Sequence, residues 1–222
     1  MLQQSTYSDS RNQMRPGDVV AFEGSGPFPD LVKMVTGSNI SHVGVVLQSQ
    51  ILTKRTDGGS YLIKDYVNSI IETAWMGGRP QVTINRLSDR IDQEEKAVWW
   101  LPLSGEVRER MDFEKFYDFL VKQKGVPYDV PQAIKSAVDV FDKWPVLRAM
   151  TKNREDFGKW FCSELVAAGL EIAGAIKSLN CSEVTPINLC RFNLYLPDYI
   201  QLKGEPTEIK GYNTKNPEGW GE

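Results

Sequence analysis

The hydrophobic residues of the first 90 positions fall in short segments separated by turn-forming residues. Segments of this length are typical of strands, and their spacing predicts an antiparallel meander with few helices. The segment 23–30, which holds two Gly and two Pro, is predicted to be a loop, with one or two helical turns after it at 31–35. Strands are predicted at 19–22, 41–48, 61–66, 69–74 and 82–84, with a hairpin turn at 56–59.

The strand predicted at 41–48 carries the only histidine of the chain. A period of two puts His42, Gly44 and Val46 on one face of this strand. Because Gly44 has no side chain, another group can approach the imidazole there. Glu72 lies inside a neighbouring predicted strand and is the carboxylate that we expect near His42.

From residue 90 onwards the apolar residues recur with helical spacing. The strongest of these patterns begins at Cys162 and stops at Gly174. The polar segment 151–159 is predicted to be a loop, and irregular segments are expected after residue 180. Helices are predicted over 113–120, 131–144 and 162–173.

Cys162 lies in the first turn of the last predicted helix, with its sulfur expected to face outward. Unpaired backbone N–H groups at a helix start favour a thiolate and lower its pKa, so Cys162 is a candidate nucleophile. A nucleophilic thiol needs a base, and the base needs an orienting group; His42 and Glu72 are the candidates for these roles. Each of these residues also has an ordinary structural interpretation. Cys162 could be a small buried hydrophobic residue, His42 a structural hydrogen-bonding group and Glu72 a solvated strand residue.

Composition narrows the class of protein. Hydrophobic residues make up 41 % of the 222 residues and charged residues 25 %, as in an ordinary soluble protein. We expect one domain over 1–222, with flexible polar tails at 1–13 and 204–222. The 26 basic residues are scattered among 29 acidic ones, which argues against a nucleic-acid partner. A single histidine excludes metal sites built from clustered histidines, and no metal or other cofactor is expected.

The cysteine count and the first residues indicate a compartment. Three cysteines, an odd number, favour a reducing environment. The first residues have no basic and apolar leader, and no apolar run reaches the 18 or so residues of a membrane helix. The sequence therefore predicts a soluble protein that is cytoplasmic where it is synthesised, with export or release by another route left open.

Five motifs together resemble the circularly permuted branch of the NlpC-type cysteine peptidases. The resemblance covers about residues 14–190 and implies an α+β, papain-like fold, in which an antiparallel sheet packs on helices and the nucleophile opens a helix. In the permuted branch the histidine strand precedes the cysteine helix, as it does here. The motifs are RPGDVVAF at 15–22, SHVGVV at 41–46, IETA at 71–74, GVPYD at 125–129 and FCSELV at 161–166.

The resemblance also implies roles for four residues. Cys162 would be the nucleophile, His42 the general base and then acid, and Glu72 the residue that orients the imidazole. Tyr128 matches an active-site tyrosine that would flank the thiolate or assist at the oxyanion, although a core aromatic residue is an equal reading. The implied substrates are amide bonds, above all those of bacterial cell-wall peptides.

Several alternatives remain open at this stage. The same Cys–His–Glu set could serve a lipid-directed acyl hydrolase or acyltransferase, or the fold could be a binding module without activity. A structural zinc site built from His42 and the three cysteines ranks lower, because Cys162, Cys181 and Cys190 form no C-x-x-C pair. Asp57 and Asp65 are rivals of Glu72 for the orienting role.

Overall fold

The computed structural model describes residues 1–55, 61–76, 79–126 and 162–221, and they form a mixed α+β fold. The strands in these residues are β1 (Leu2–Gln4), β2 (Val19–Phe22), β3 (His42–Arg55), β4 (Tyr61–Met76), β5 (Arg79–Arg86), β6 (Val98–Leu101) and β7 (Tyr199–Lys203). The α-helices are α1 (Tyr7–Ser10), α2 (Pro27–Thr36), α3 (Leu87–Gln93), α4 (Gly105–Arg110), α5 (Phe113–Lys122), α6 (Cys162–Ile172) and α7 (Pro186–Arg191). One turn of 3-10 helix spans Cys181–Glu183.

The strands form one open sheet in the order β1-β7-β6-β2-β3-β4-β5. All neighbouring strands are antiparallel except β1 and β7, which are parallel. The meander predicted from the first ninety residues is thus present as β3, β4 and β5 with β2 beside them. The two segments predicted at 61–66 and 69–74 are one continuous strand, and the hairpin turn predicted at 56–59 lies outside the described residues.

Strand β6 is the main element that the apolar pattern failed to predict. All four of its residues are buried, because β6 lies between β2 and β7 in the middle of the sheet. A strand covered on both faces shows no alternation of polar and apolar residues, so the run VWWL carries no period of two. The prediction that helical spacing takes over from residue 90 is therefore wrong at this point.

Described residues of both segments that were predicted to be tails contact the rest of the fold. Residues 2–4 pair in parallel with 199–201 at the edge of the sheet, and Leu2 packs against the apolar core, although the two residues that follow it are glutamines. Near the other end, the indole N–H of Trp99 donates to the carbonyl of Thr207 at 2.9 Å, and Ile209 is buried. Both strand pairing and the packing of apolar residues such as Ile209 therefore connect the two ends to the rest of the fold.

The helix predictions fare differently from one segment to the next. The helices expected over 113–120 and 162–173 are confirmed as α5 and α6, and Gly174 takes the positive φ of a helix stop. The loop predicted over 23–30 is wrong in its second half, because α2 begins at Pro27, where the fixed φ of proline favours a first helical turn. The helix predicted over 131–144 and the loop over 151–159 lie outside the described residues.

The segments after residue 180 also contain regular structure that was not predicted. Pro186 stands at the first position of α7, and the hydroxyl of Thr185 accepts a hydrogen bond from the Asn188 N–H as the N-cap. Strand β7 follows. Proline here begins a helix instead of interrupting one.

Two apolar clusters cover the two faces of the sheet. On one face, alternate residues of β3 such as Val43 and Val45 pack with residues of α5 and α6, among them Leu120 and Val166. On the other face, Val20, Phe22 and Val46 pack with Ile70 of β4 and with Leu87 and Ile91 of α3. Strand β3, with His42 as its first residue, therefore lies between α6 and α3.

Candidate active site

His42 and Glu72 meet across neighbouring strands. The imidazole Nε2 lies 2.6 Å from the Glu72 Oε2, and both side chains are buried. Strand β3 pairs with β4 in an antiparallel register that places Val45 opposite Ile71, which brings the start of β3 beside this part of β4. The carboxylate that sequence reasoning selected is thus the one that contacts the imidazole.

Gly44 allows β4 to approach this closely. A Cβ on Gly44 would lie 2.6 Å from the Ile70 Cδ1 and 3.2 Å from the Glu72 Cβ, so a side chain at this position would overlap with β4. The sequence predicted that Gly44 leaves space for another group to approach the imidazole. The space is filled by Ile70 and Glu72, which places the carboxylate against the ring.

Cys162 is the first residue of α6, and its side chain is completely buried. Its Sγ accepts a hydrogen bond from the backbone N–H of Val43 at 3.4 Å. The expectation that the sulfur faces outward is wrong, because α6 packs on the sheet and turns this sulfur towards β3. Because Val43 directly follows His42 in the chain, the sulfur of Cys162 lies close to His42.

Cys162 and Glu72 both change the pKa of His42. Burial alone would lower its pKa, but the electrostatic interaction and hydrogen bond with Cys162, together with the hydrogen bond and charge of Glu72, raise the pKa from 6.5 to about 9. Nε2 is taken up by Glu72, and Nδ1 is buried without a hydrogen-bond partner at normal distance among the described residues. Nδ1 is thus the ring nitrogen left to exchange a proton with the thiol.

Three side chains of the described residues hold Glu72. Besides His42, Arg90 places its Nε 2.9 Å from Oε1 and 3.1 Å from Oε2, and the Asn85 Nδ2 donates to Oε1 at 3.0 Å. Burial alone would raise the pKa of Glu72. The hydrogen bond and charge of His42, followed by the charge of Arg90 and the bond from Asn85, instead lower the pKa from 4.5 to about 2.

Arg90 also stacks on an aromatic ring beside the imidazole. Its Cζ lies 4.6 Å from the centroid of the Phe22 ring, and that ring lies 5.5 Å from the imidazole of His42, tilted by 41°. Sequence reasoning missed Arg90 and Asn85. Asn85 follows directly after the strand predicted at 82–84, whereas Arg90 belongs to α3, a helix of seven residues that was not predicted.

The other sequence candidates are placed as follows. Tyr128 and Asp57 lie outside the described residues. Asp65 belongs to β4 and pairs with Leu52, seven residues along the strand from Glu72. At 3.3 Å per residue this separation is about 23 Å, so Asp65 is too distant to orient His42.

The remaining cysteines have no imidazole beside them. The Cys181 thiol donates to the Glu171 Oε2 at 3.4 Å, and burial together with this carboxylate raises its pKa to about 12. Cys190 on α7 is completely buried, and burial raises its pKa as well. Its neighbour His42 thus distinguishes Cys162 from the equally buried Cys190 and from Cys181, which is only partly buried.

The chemistry of this site is inferred from its geometry, since comparisons with known proteins add no support. No family model matches the sequence, and no curated protein shows significant similarity to it. Among the described residues, no three His, Cys, Asp or Glu side chains are grouped as they would be around a metal ion. None of the helices described is both long and apolar enough to cross a membrane.

Proposed function

We propose that this protein is a cysteine hydrolase that cleaves amide bonds through a thioester on Cys162, on a papain-like fold in permuted order. One observation carries the proposal. The imidazole of His42 binds Glu72 through Nε2 at 2.6 Å, and the Sγ of Cys162 contacts the backbone N–H of Val43, the residue that follows His42. This is the nucleophile, base and orienting group that covalent acyl transfer requires. The order of histidine strand, glutamate strand and cysteine helix agrees with the permuted family that the motifs resemble.

The first half of the reaction forms the thioester. Nδ1 of His42 takes the proton from Cys162, and the thiolate attacks the carbonyl carbon of the substrate. The carbonyl oxygen becomes an oxyanion, to which the backbone N–H of Cys162 can donate. The C–N bond then breaks, and the imidazolium gives its proton to the departing amine.

The second half restores the enzyme. His42 takes a proton from a water molecule, and the resulting hydroxide attacks the thioester carbonyl. The C–S bond breaks, a carboxylic acid leaves, and Cys162 regains its thiol or thiolate. A well-placed general base contributes about 10²-fold to 10⁴-fold to such a reaction. Glu72 keeps the imidazole oriented in both halves and stabilises its charged form.

The substrate class proposed first is the amide bonds of bacterial cell-wall peptides, which follows from the resemblance alone. The test is incubation of the purified protein with cell-wall peptide fragments and, separately, with acyl lipids, followed by mass spectrometry of products and of the intact protein. We expect peptide fragments shortened by one cleavage and a covalent adduct on Cys162. Release of fatty acid instead would replace the substrate class by the lipid alternative.

Controls separate the site from contamination. Cys162→Ala and His42→Ala should each remove product formation, and because members of a catalytic unit are not additive, the double variant should be no worse than either. Cys190→Ala removes an equally buried thiol and should keep the activity. Product formation that survives in Cys162→Ala, or no adduct with either substrate class, would overturn the proposal.

A further inference from the structure

Arg90 and His42 share the buried carboxylate of Glu72. His42 Nε2 contacts the Oε2 of Glu72, while the Nε of Arg90 lies within 3.1 Å of both oxygens. Glu72 is completely buried, and Arg90 is one-fifth exposed. The negative charge of one carboxylate is therefore divided between an imidazole and a guanidinium, and the guanidinium carries its charge at every physiological pH.

The position of Arg90 is fixed independently of Glu72. Its guanidinium lies over the face of Phe22, and its Nη1 lies 3.9 Å from the Oε2 of Glu94 at the end of α3. Glu94 is itself buried and accepts a hydrogen bond from the Lys96 N–H. The cation is thus held in place by the helix and an aromatic ring.

Glu72, in turn, is also held by groups other than Arg90. Asn85 donates to its Oε1, and the backbone on which it sits is paired on both sides, with β3 and β5. Removing the guanidinium would therefore change the charge near His42 more than the position of the carboxylate. An unshared carboxylate holds an imidazolium more strongly, because the opposing cation is gone.

We propose that Arg90 is a positioning residue of this site, which by sharing the Glu72 carboxylate sets how readily the imidazole of His42 releases its proton. The inference rests on the proposed function for its catalytic meaning. A base that must first accept and then donate a proton works best when neither form is held too strongly. By sharing the negative charge of Glu72, Arg90 would keep the carboxylate from holding the imidazolium of His42 too strongly for proton release.

The charged groups around the imidazole are few among the described residues. Glu72 faces it from β4, Cys162 from α6, and Arg90 with Glu94 behind it from α3, while β2 presents the uncharged Phe22. Of these, Arg90 alone is a cation.

The experiment is an NMR titration of His42 in the untagged full chain. Because the chain has a single histidine, its ring signals need no separation from others. In Arg90→Met we expect the pKa of His42 to rise, with about a tenfold smaller acid dissociation constant of the imidazolium. Arg90→Gln, which keeps an N–H donor and loses the charge, provides the same test if Arg90→Met does not fold.

Two variants serve as controls. Arg90→Lys keeps the positive charge and should stay close to the wild-type titration. Arg110→Met removes an arginine that donates to the carbonyl of Ala175, and should leave His42 unchanged. An unchanged or lower pKa of His42 in a folded Arg90→Met or Arg90→Gln protein would overturn the inference. The titration needs no substrate, so it can succeed or fail independently of the search for hydrolysis.

Discussion

At the scale of single residues, the site depends on the absence of a side chain at Gly44 as much as on the imidazole of His42. The pairing of β3 with β4 fixes which residues are neighbours, but only a glycine lets Ile70 and Glu72 come this close to β3. The sequence pattern located His42, Glu72 and Cys162. It could not locate their distances, because these depend on the strand register and on the packing of α6.

The first prediction concerns Gly44→Ala. The new Cβ would lie 2.6 Å from the Ile70 Cδ1 and must displace a side chain in a fully buried cluster. We expect a loss of about 1–3 kcal/mol in the free energy of unfolding, as is typical of overpacked cores, and weaker activity because Glu72 shifts with β4. Urea denaturation measures the loss.

Gly105→Ala is the matched control for this variant. Gly105 is the first residue of α4, and a Cβ there meets no atom within 4 Å. We expect this variant to be as stable as the wild type or more stable by up to about 1 kcal/mol. Equal stability of the two variants would show that the close approach at Gly44 is unimportant.

At the scale of elements, Asp18 connects β2 to the strand and the helix that flank it. This completely buried carboxylate accepts hydrogen bonds from the Trp100 indole and the Leu103 N–H at 2.9 Å each, and it forms an ion pair with Arg108 of α4. Asp18 lies in the motif at 15–22, but the sequence pattern alone assigns this residue no role. The role of Asp18 depends on partners 82 and more positions away, which no local pattern reveals.

The second prediction follows for Asp18→Ala. The variant leaves a partly buried guanidinium and two buried donors without their acceptor. We expect a loss of about 3–5 kcal/mol in the free energy of unfolding. Asp118→Ala, which removes an exposed carboxylate of α5, is the control and should be close to the wild type. A loss in Asp18→Ala no larger than in the control would contradict this role.

The elements that sequence reasoning missed explain the residues that it missed. Helix α3 has seven residues and only two buried apolar ones, Leu87 and Ile91, which are too few for a recognisable helical period. Its last turn is held by the Lys203 Nζ, which donates to the carbonyl of Ile91 at 2.9 Å. Arg90 could not be predicted because the helix that carries it depends on these tertiary contacts.

At the scale of the whole molecule, the buried charges of the site make folding depend on pH. Glu72 has a lowered pKa in the folded chain, so its contribution to stability is present above 4.5 and lost as the pH falls towards about 2. His42 has a raised pKa, so its contribution is present below 6.5 and lost as the pH rises through about 9. The two contributions overlap between 4.5 and 6.5.

The third prediction compares the wild type with the double variant His42→Gln/Glu72→Gln. Their difference in the free energy of unfolding should be largest near pH 5.5 and smaller near pH 3 and pH 9.5, roughly as proton linkage requires. Urea denaturation at these three pH values measures it. A difference that does not vary with pH would mean that the two groups are not coupled in the folded protein.

The most direct test of the central claim, that His42 activates Cys162, is the rate at which a small thiol-reactive electrophile labels each cysteine near neutral pH. Peptide mapping by mass spectrometry gives the rates separately, and Cys190 is the matched control because it is equally buried and has no imidazole partner among its described contacts. We expect Cys162 to be labelled before Cys181 and Cys190, and His42→Ala to slow this labelling by about 10²-fold. Labelling of Cys181 or Cys190 first, or an unchanged rate at Cys162 in His42→Ala, would contradict it.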